Sequence, residues 1–151
     1  MQISRSRRAC WAVALVVTAV LIVPVAGGIA AATEASAFPA QLVGRWTRTV
    51  TATDLKREGV TDPPAGTVFT LTIMKSGAAS LSGKTPGVKD QTPPFTGPIV
   101  PAGANRVHIN VAFAFPNVYR WRVSGRLLTF TKISDNFHTN AAVFSGVWKR
   151  K

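Results

Sequence analysis

Residues Tyr119 to Ile133 read Tyr-Arg-Trp-Arg-Val-Ser-Gly-Arg-Leu-Leu-Thr-Phe-Thr-Lys-Ile, and this stretch decides the fold. Tyr119, Trp121 and Val123 alternate with Arg120 and Arg122. Period two places apolar groups on one face of an extended chain and cations on the other, the signature of a half-buried strand. Ser124-Gly125 then interrupts the pattern as a two-residue hairpin before the apolar run resumes at Leu127. Two antiparallel strands follow, each with a wet face and a core face.

The same rhythm recurs along the chain. Phe69, Leu71 and Ile73 alternate with two threonines, and Val107 to Phe113 alternates with His108 and Asn110 on its polar face. Lys75-Ser76-Gly77 separates the Phe69 run from a short strand at Ala79 to Ser82, and Phe115-Pro116-Asn117 is a further turn. The first strand reads Leu42 to Ala52 and the last reads Ala141 to Lys149. Thr53 to Gly59 predicts a short helix, with Thr53 as N-cap and the glycine as its stop. Lys84 to Gly103 carries five prolines and reads as an irregular excursion with one edge strand near Ile99 and Val100. The expected class is all-β: an up-and-down antiparallel barrel of about eight strands, one short helix after the first strand, and a signal-peptide helix ahead of it. Closure removes exposed sheet edges; an open sandwich is the alternative.

The N-terminus has a different character. Arg5, Arg7 and Arg8 precede an uncharged run from Trp11 to Val23, broken by Pro24, Gly27 and Gly28, and Ala35-Ser36-Ala37 is a small-residue cleavage site. This is the three-part layout of a secretory signal peptide, cleaved between Ala37 and Phe38. The domains are therefore 1–37, the signal peptide, and 38–151, the barrel, and the expected location is secreted or extracytoplasmic. An uncleaved membrane anchor is the alternative, but a span needs ~20 apolar residues and would have to pass through Pro24. Ser6-Arg7-Arg8 is a partial twin-arginine signal, so the export route stays open. Cys10 precedes the apolar run, cannot be a lipidated anchor, and leaves with the leader.

The whole chain of 151 residues carries 18 Lys and Arg against 6 Asp and Glu, a net charge of +12. Without the three leader arginines and Glu34, fifteen basic and five acidic residues remain. One cysteine excludes an intramolecular disulfide, and two histidines with so few carboxylates argue against a metal centre. No phosphate-binding glycine loop or metalloprotease motif appears. A nucleophile, base and acid can be written from Ser134, His138 and Asp135, but sequence proximity is no evidence of geometry, and a solvated loop histidine is the simpler reading. The expectation is no enzyme, no cofactor and a monomer.

The two ends of this region share a pattern. Gly44-Arg45-Trp46 opens the first strand and Gly146-Val147-Trp148-Lys149-Arg150 closes the last. Together with the Thr-Asp-Leu helix, Tyr-x-Trp at 119–121 and the Gly-x-Leu run after Gly125, they resemble a family of small secreted bacterial lipocalin-like (calycin-type) proteins, largely uncharacterised. The resemblance covers nearly all of Leu42 to Arg150 except the proline-rich excursion. It implies that Gly44, Trp46, Trp148 and Arg150 close the barrel, with Lys149 or Arg150 against the Trp46 indole. Related sequences carry an acidic residue, a cysteine and an arginine before the last strand; here Asp135 stands with Phe137 and Asn140 near the other two places.

A barrel of eight strands holds packed side chains or one small ligand. The interior candidates are Phe69, Leu71, Ile73, Ile109, Val111, Phe113, Tyr119, Trp121 and Phe130, joined by Val107, Leu128 and Phe144. They either fill the core or line a site for an apolar or amphipathic ligand, with Arg120 and Arg122 as contacts for an anionic head group. The alternative function is a cell-envelope interaction protein whose cations, Arg45, Arg48, Arg120, Arg122, Arg126, Lys132, Lys149, Arg150 and Lys151, meet an anionic polymer, lipid surface or protein. Export disfavours nucleic acid as the partner.

Overall fold

Eight strands follow one another in chain order around a closed barrel in the computed structural model, which describes residues 37–89, 93–111 and 117–151. They are β1 (Gly44–Thr49), β2 (Val68–Ile73), β3 (Ala78–Lys84), β4 (Phe95–Pro101), β5 (Arg106–Ile109), β6 (Asn117–Ser124), β7 (Leu127–Asp135) and β8 (Gly146–Arg150). Every neighbouring pair is antiparallel, and β8 returns to β1 with Trp46 opposite Arg150. The architecture is all-β, up-and-down and compatible with a lipocalin-like fold. Closure leaves no unpaired edge, which excludes the open sandwich. These residues belong to one compact unit, Thr33–Lys151. Residues 1–36 of the expected signal peptide, which runs to residue 37, lie outside the described residues, as does Phe113.

The topology makes the two ends unlike. Short turns join β2 to β3, β4 to β5 and β6 to β7 at one end. The opposite end carries the longer connections and two helices, α1 (Ala52–Glu58) between β1 and β2, and α2 (His138–Phe144) between β7 and β8. Inward-facing Trp46, Leu71, Ile99, Ile109, Tyr119, Leu128, Phe130 and Trp148 are buried to within 2%. Tyr119 stands edge-on to Phe130 and Phe144, and Phe144 stacks on Trp148 at 6.3 Å. Most of the barrel is thus a packed core, stabilised at roughly 25 cal/mol per Å² of apolar surface removed from water.

Four expectations need correction. The first half of the expected strand Ala141 to Lys149 is helical, so the fold has a second helix, α2, and β8 begins only at Gly146. Asn140 to Phe144 are all buried, so α2 lacks the apolar stripe by which a surface helix is recognised. β4 is a full strand, not an edge: it pairs with both β3 and β5. Its Gly97 permits this, since a Cβ there would lie 2.0 Å from the Asn110 carbonyl oxygen. α1 starts two residues early, capped by Thr51 rather than Thr53, with Thr51 and Asp54 exchanging hydrogen bonds in a capping box. The β6–β7 turn is Gly125-Arg126, one residue on from the expected pair.

Candidate functional site

The helix end is organised by one buried cation. On β1 the inward positions are Trp46, Arg48 and Val50, so strand alternation carries Arg48 into the barrel. Its guanidinium lies 2.8 Å from the Asp54 carboxylate of α1. It also donates to the carbonyls of Ala142 and Val143, at 2.7 and 2.6 Å, at the C-terminal end of α2. Those carbonyls have no partner within a helix that ends there, and they carry the negative end of its dipole. Arg48 therefore ties both helices to the first strand. It was expected among the outward cations, and the structure buries it instead.

Two carboxylates are held ionised around this junction. Burial pushes the Asp54 carboxyl up, but hydrogen bonds from the Thr51 amide and hydroxyl and the charges of Arg48 and Arg57 outweigh it, leaving Asp54 below its usual range. Burial likewise opposes ionisation of Glu58, and Lys132 and Arg57 outweigh it. At β7, Asp135 accepts from the Tyr119 hydroxyl and, at 2.8 Å, from the Phe137 amide that opens α2. Burial, with the nearby Asp135 carboxylate, drives the Tyr119 phenol far above its ordinary value, so it stays a donor. Asp135 therefore sets where α2 begins.

Beside α2 the helix end is hollow. A half-open cavity of about 370 Å³ is lined by Phe69 of β2, Leu81 and Gly83 of β3, Thr85 after it, Phe95 of β4, Asp62, Pro63, Pro64 and Thr67 of the loop before β2, and Phe137, Thr139, Asn140 and Val143 of α2 and its lead-in. The volume is at the lower end for small-ligand sites, ~300–1,000 Å³. Its walls are mixed: Phe69, Leu81, Phe95, Phe137 and Val143 supply apolar surface, and Asp62, Thr67, Thr85, Thr139 and Asn140 supply polar groups. Gly83 makes the space: Phe69 lies directly across from it on β2, and a Cβ at 83 would meet the Phe69 ring at 2.9 Å. Among polar lining groups, the Thr67 hydroxyl is engaged with Pro64 O and Thr85. The Asn140 side-chain nitrogen, in a residue 5% exposed, has no hydrogen-bond partner. A buried amide left unpaired costs about 1–3 kcal/mol, so it marks a position suited to an acceptor.

Of the interior candidates among the described residues, Phe69 alone lines this cavity. Leu71, Ile73, Ile109, Val111, Tyr119 and Phe130 are buried in the packed core with Val107, Leu128 and Phe144, and Trp121 is half-buried against it. Arg120 and Arg122 are exposed on the outer face of β6 and are not among the cavity's lining residues. The sequence does not point to the cavity's α2 wall, because residues up to Asn140 read as a loop and Val143 as part of the last strand. Phe137 and Asn140 both line the cavity.

At the opposite end the Arg150 guanidinium stands 4.5 Å from the centre of the Trp46 ring and donates to the carbonyls of Gln41 and Val43. Gly44 lies against that guanidinium. Trp46 and Trp148 each donate from the indole to a carbonyl four residues earlier, Leu42 and Phe144.

Ser134 is exposed, and His138 opens α2 with its Nδ1 3.9 Å from Glu58 rather than on Asp135. Among the described residues no cluster of three or more His, Cys, Asp and Glu side chains could hold a metal ion. No protein-family model, curated protein or solved structure matches the chain.

Proposed function

We propose that this chain is a secreted lipocalin-like binding protein that takes a small, neutral amphipathic molecule into the cavity at its helix end. The observation that carries the reading is a space of about 370 Å³ lined in part by Phe69, Phe95, Phe137 and Asn140, the last a buried residue whose amide nitrogen has no partner. Apolar walls supply affinity by displacing water, at about 25 cal/mol per Å². The Asn140 nitrogen would donate to a carbonyl or hydroxyl oxygen of the ligand. Asp62 is the one charged lining residue, so a neutral polar group suits the site better than an anionic head. Binding is preferred to catalysis because, in the set Ser134, His138 and Asp135, the Asp135 carboxylate already accepts from Tyr119 and Phe137 and His138 stands toward Glu58 instead.

The test is uptake of Nile red, a neutral lipophilic dye, by the unit Thr33–Lys151. Saturable enhancement at one site is expected, and Gly83→Val, which drives the Phe69 ring into the space, should abolish it while leaving the melting temperature close to wild type. Equal uptake by a folded Gly83→Val variant would sink the assignment. N-terminal sequencing of protein from culture fluid tests the export half: Phe38 should be the first residue.

A further inference from the structure

We infer that the outer wall formed by β5, β6, β7 and β8 docks on an anionic lipid bilayer surface, independently of the cavity. Arg106, Arg120, Arg122, Arg126, Lys149 and Lys151 are all exposed there or at its tight-turn rim. None of them has a carboxylate within ion-pair distance among the described residues. The described carboxylates sit elsewhere: Asp54 and Glu58 in α1, Asp62 in the loop after it, and Asp135 at the far end of β7.

Strand register sharpens the point. Arg106 lies directly opposite Arg120 on the neighbouring strand, and Arg122 follows two residues on along the same face. Like charges directly opposite each other destabilise a sheet, so this pair costs stability unless an anion meets it. Leu127, 42% exposed, lies opposite Lys149, and Val147, 49% exposed, lies opposite Thr129, which faces Arg122. Two apolar side chains therefore stand inside the cationic field. A soluble polyanion offers them nothing. The boundary between head groups and acyl chains accepts them while its phosphates neutralise the guanidinium groups. That pairing selects lipid over polymer.

The experiment is sedimentation of Thr33–Lys151 with vesicles of phosphatidylcholine alone or mixed with phosphatidylglycerol. That unit holds the whole barrel and core and lacks the apolar leader run, which would bind lipid by itself. Binding should require phosphatidylglycerol and weaken steeply with added salt. Arg106→Gln with Arg120→Gln and Arg122→Gln should weaken it roughly a hundredfold, about fivefold per cation. Lys56→Gln with Lys84→Gln and Lys89→Gln, an equal charge change outside this wall, should leave it near wild type. Leu127→Ser with Val147→Ser should weaken binding several-fold. Equal losses for both charge triples would overturn the assignment to this wall. Unchanged binding by the serine variant would overturn lipid in favour of a soluble polyanion. No binding to either vesicle overturns the proposal outright, and none of these results bears on Nile red uptake.

Discussion

Arg48 and Asp54 form a buried ion pair at 2.8 Å that bridges the first strand to the helix after it, and the same guanidinium closes the end of the second helix. Removing one partner of such a pair leaves an uncompensated buried charge, at about 3–5 kcal/mol. Asp54→Ala should therefore destabilise by roughly that amount, read from urea unfolding. Arg48→Met should also loosen α2, so hydrogen exchange at residues 141–145 should accelerate more than in the core strands. A loss of stability confined to global unfolding would contradict the tie between helices.

Gly146 allows Arg48 to lie where it does. Its φ is +134°, and a Cβ there would sit 2.7 Å from two Arg48 nitrogens. Gly146→Ala should cost roughly 1–3 kcal/mol from backbone strain, with displacement of the guanidinium added. Combined with Asp54→Ala the losses should fall short of additive, because both act through Arg48; a double-mutant cycle measures that.

Acid should unfold this protein through Asp54 and Glu58. Both have folded-state pKa values below their ordinary ones. A depressed carboxylate contributes stability fully above its unfolded pKa, about 4, and loses it as pH falls through the folded value. The melting temperature should show no loss from this pair above about pH 5 and fall below about pH 4. In Asp54→Asn with Glu58→Gln, the start should be lower and the acid drop shallower. An unchanged acid limb would assign the effect to other groups.

Asn117 substitutes for a strand partner at the wide β5–β6 connection. Its side-chain oxygen accepts from the Ile109 amide and its nitrogen donates to the Ile109 carbonyl, both at 2.7 Å, in a residue 2% exposed. Asn117→Ala orphans a buried donor and a buried acceptor, so about 2–5 kcal/mol should be lost. Asn117→Asp keeps the acceptor and loses the donor, and chemical denaturation should place it between the two.

The tight-turn end is sealed by Arg150 over Trp46. Arg150→Ala should cost about 1 kcal/mol, and Arg150→Lys should recover part of it, since the ammonium keeps the charge but not the planar fork. Equal stability of Arg150→Ala and wild type would show that the seal carries no energy.

Alternation alone made the strands legible, because an eight-stranded barrel imposes a wet face and a core face on nearly every residue pair. The packed interior followed from the same rule; the resemblance implied Lys149 or Arg150 against the Trp46 indole, and the structure places Arg150 there. Arg48 was legible in principle, since it shares the face of Trp46 and Val50, yet a cation on a strand reads as surface until its partner is known. That partner, the end of α2, was itself hidden. His138 to Phe144 lacks a side-chain N-cap, and five of its residues are buried. Local signals of a helix arise from one wet face and a capped start, and this helix has neither.

By itself, the order of residues determined that the fold is built of alternating strands and which apolar side chains of those strands face inward, because these depend on neighbours one to four positions apart. The cavity, the unpaired Asn140 amide and the facing arginines 106 and 120 were decided only by tertiary structure. Each arises where distant strands and a helix meet, and register between strands is a property of the closed barrel rather than of any one segment.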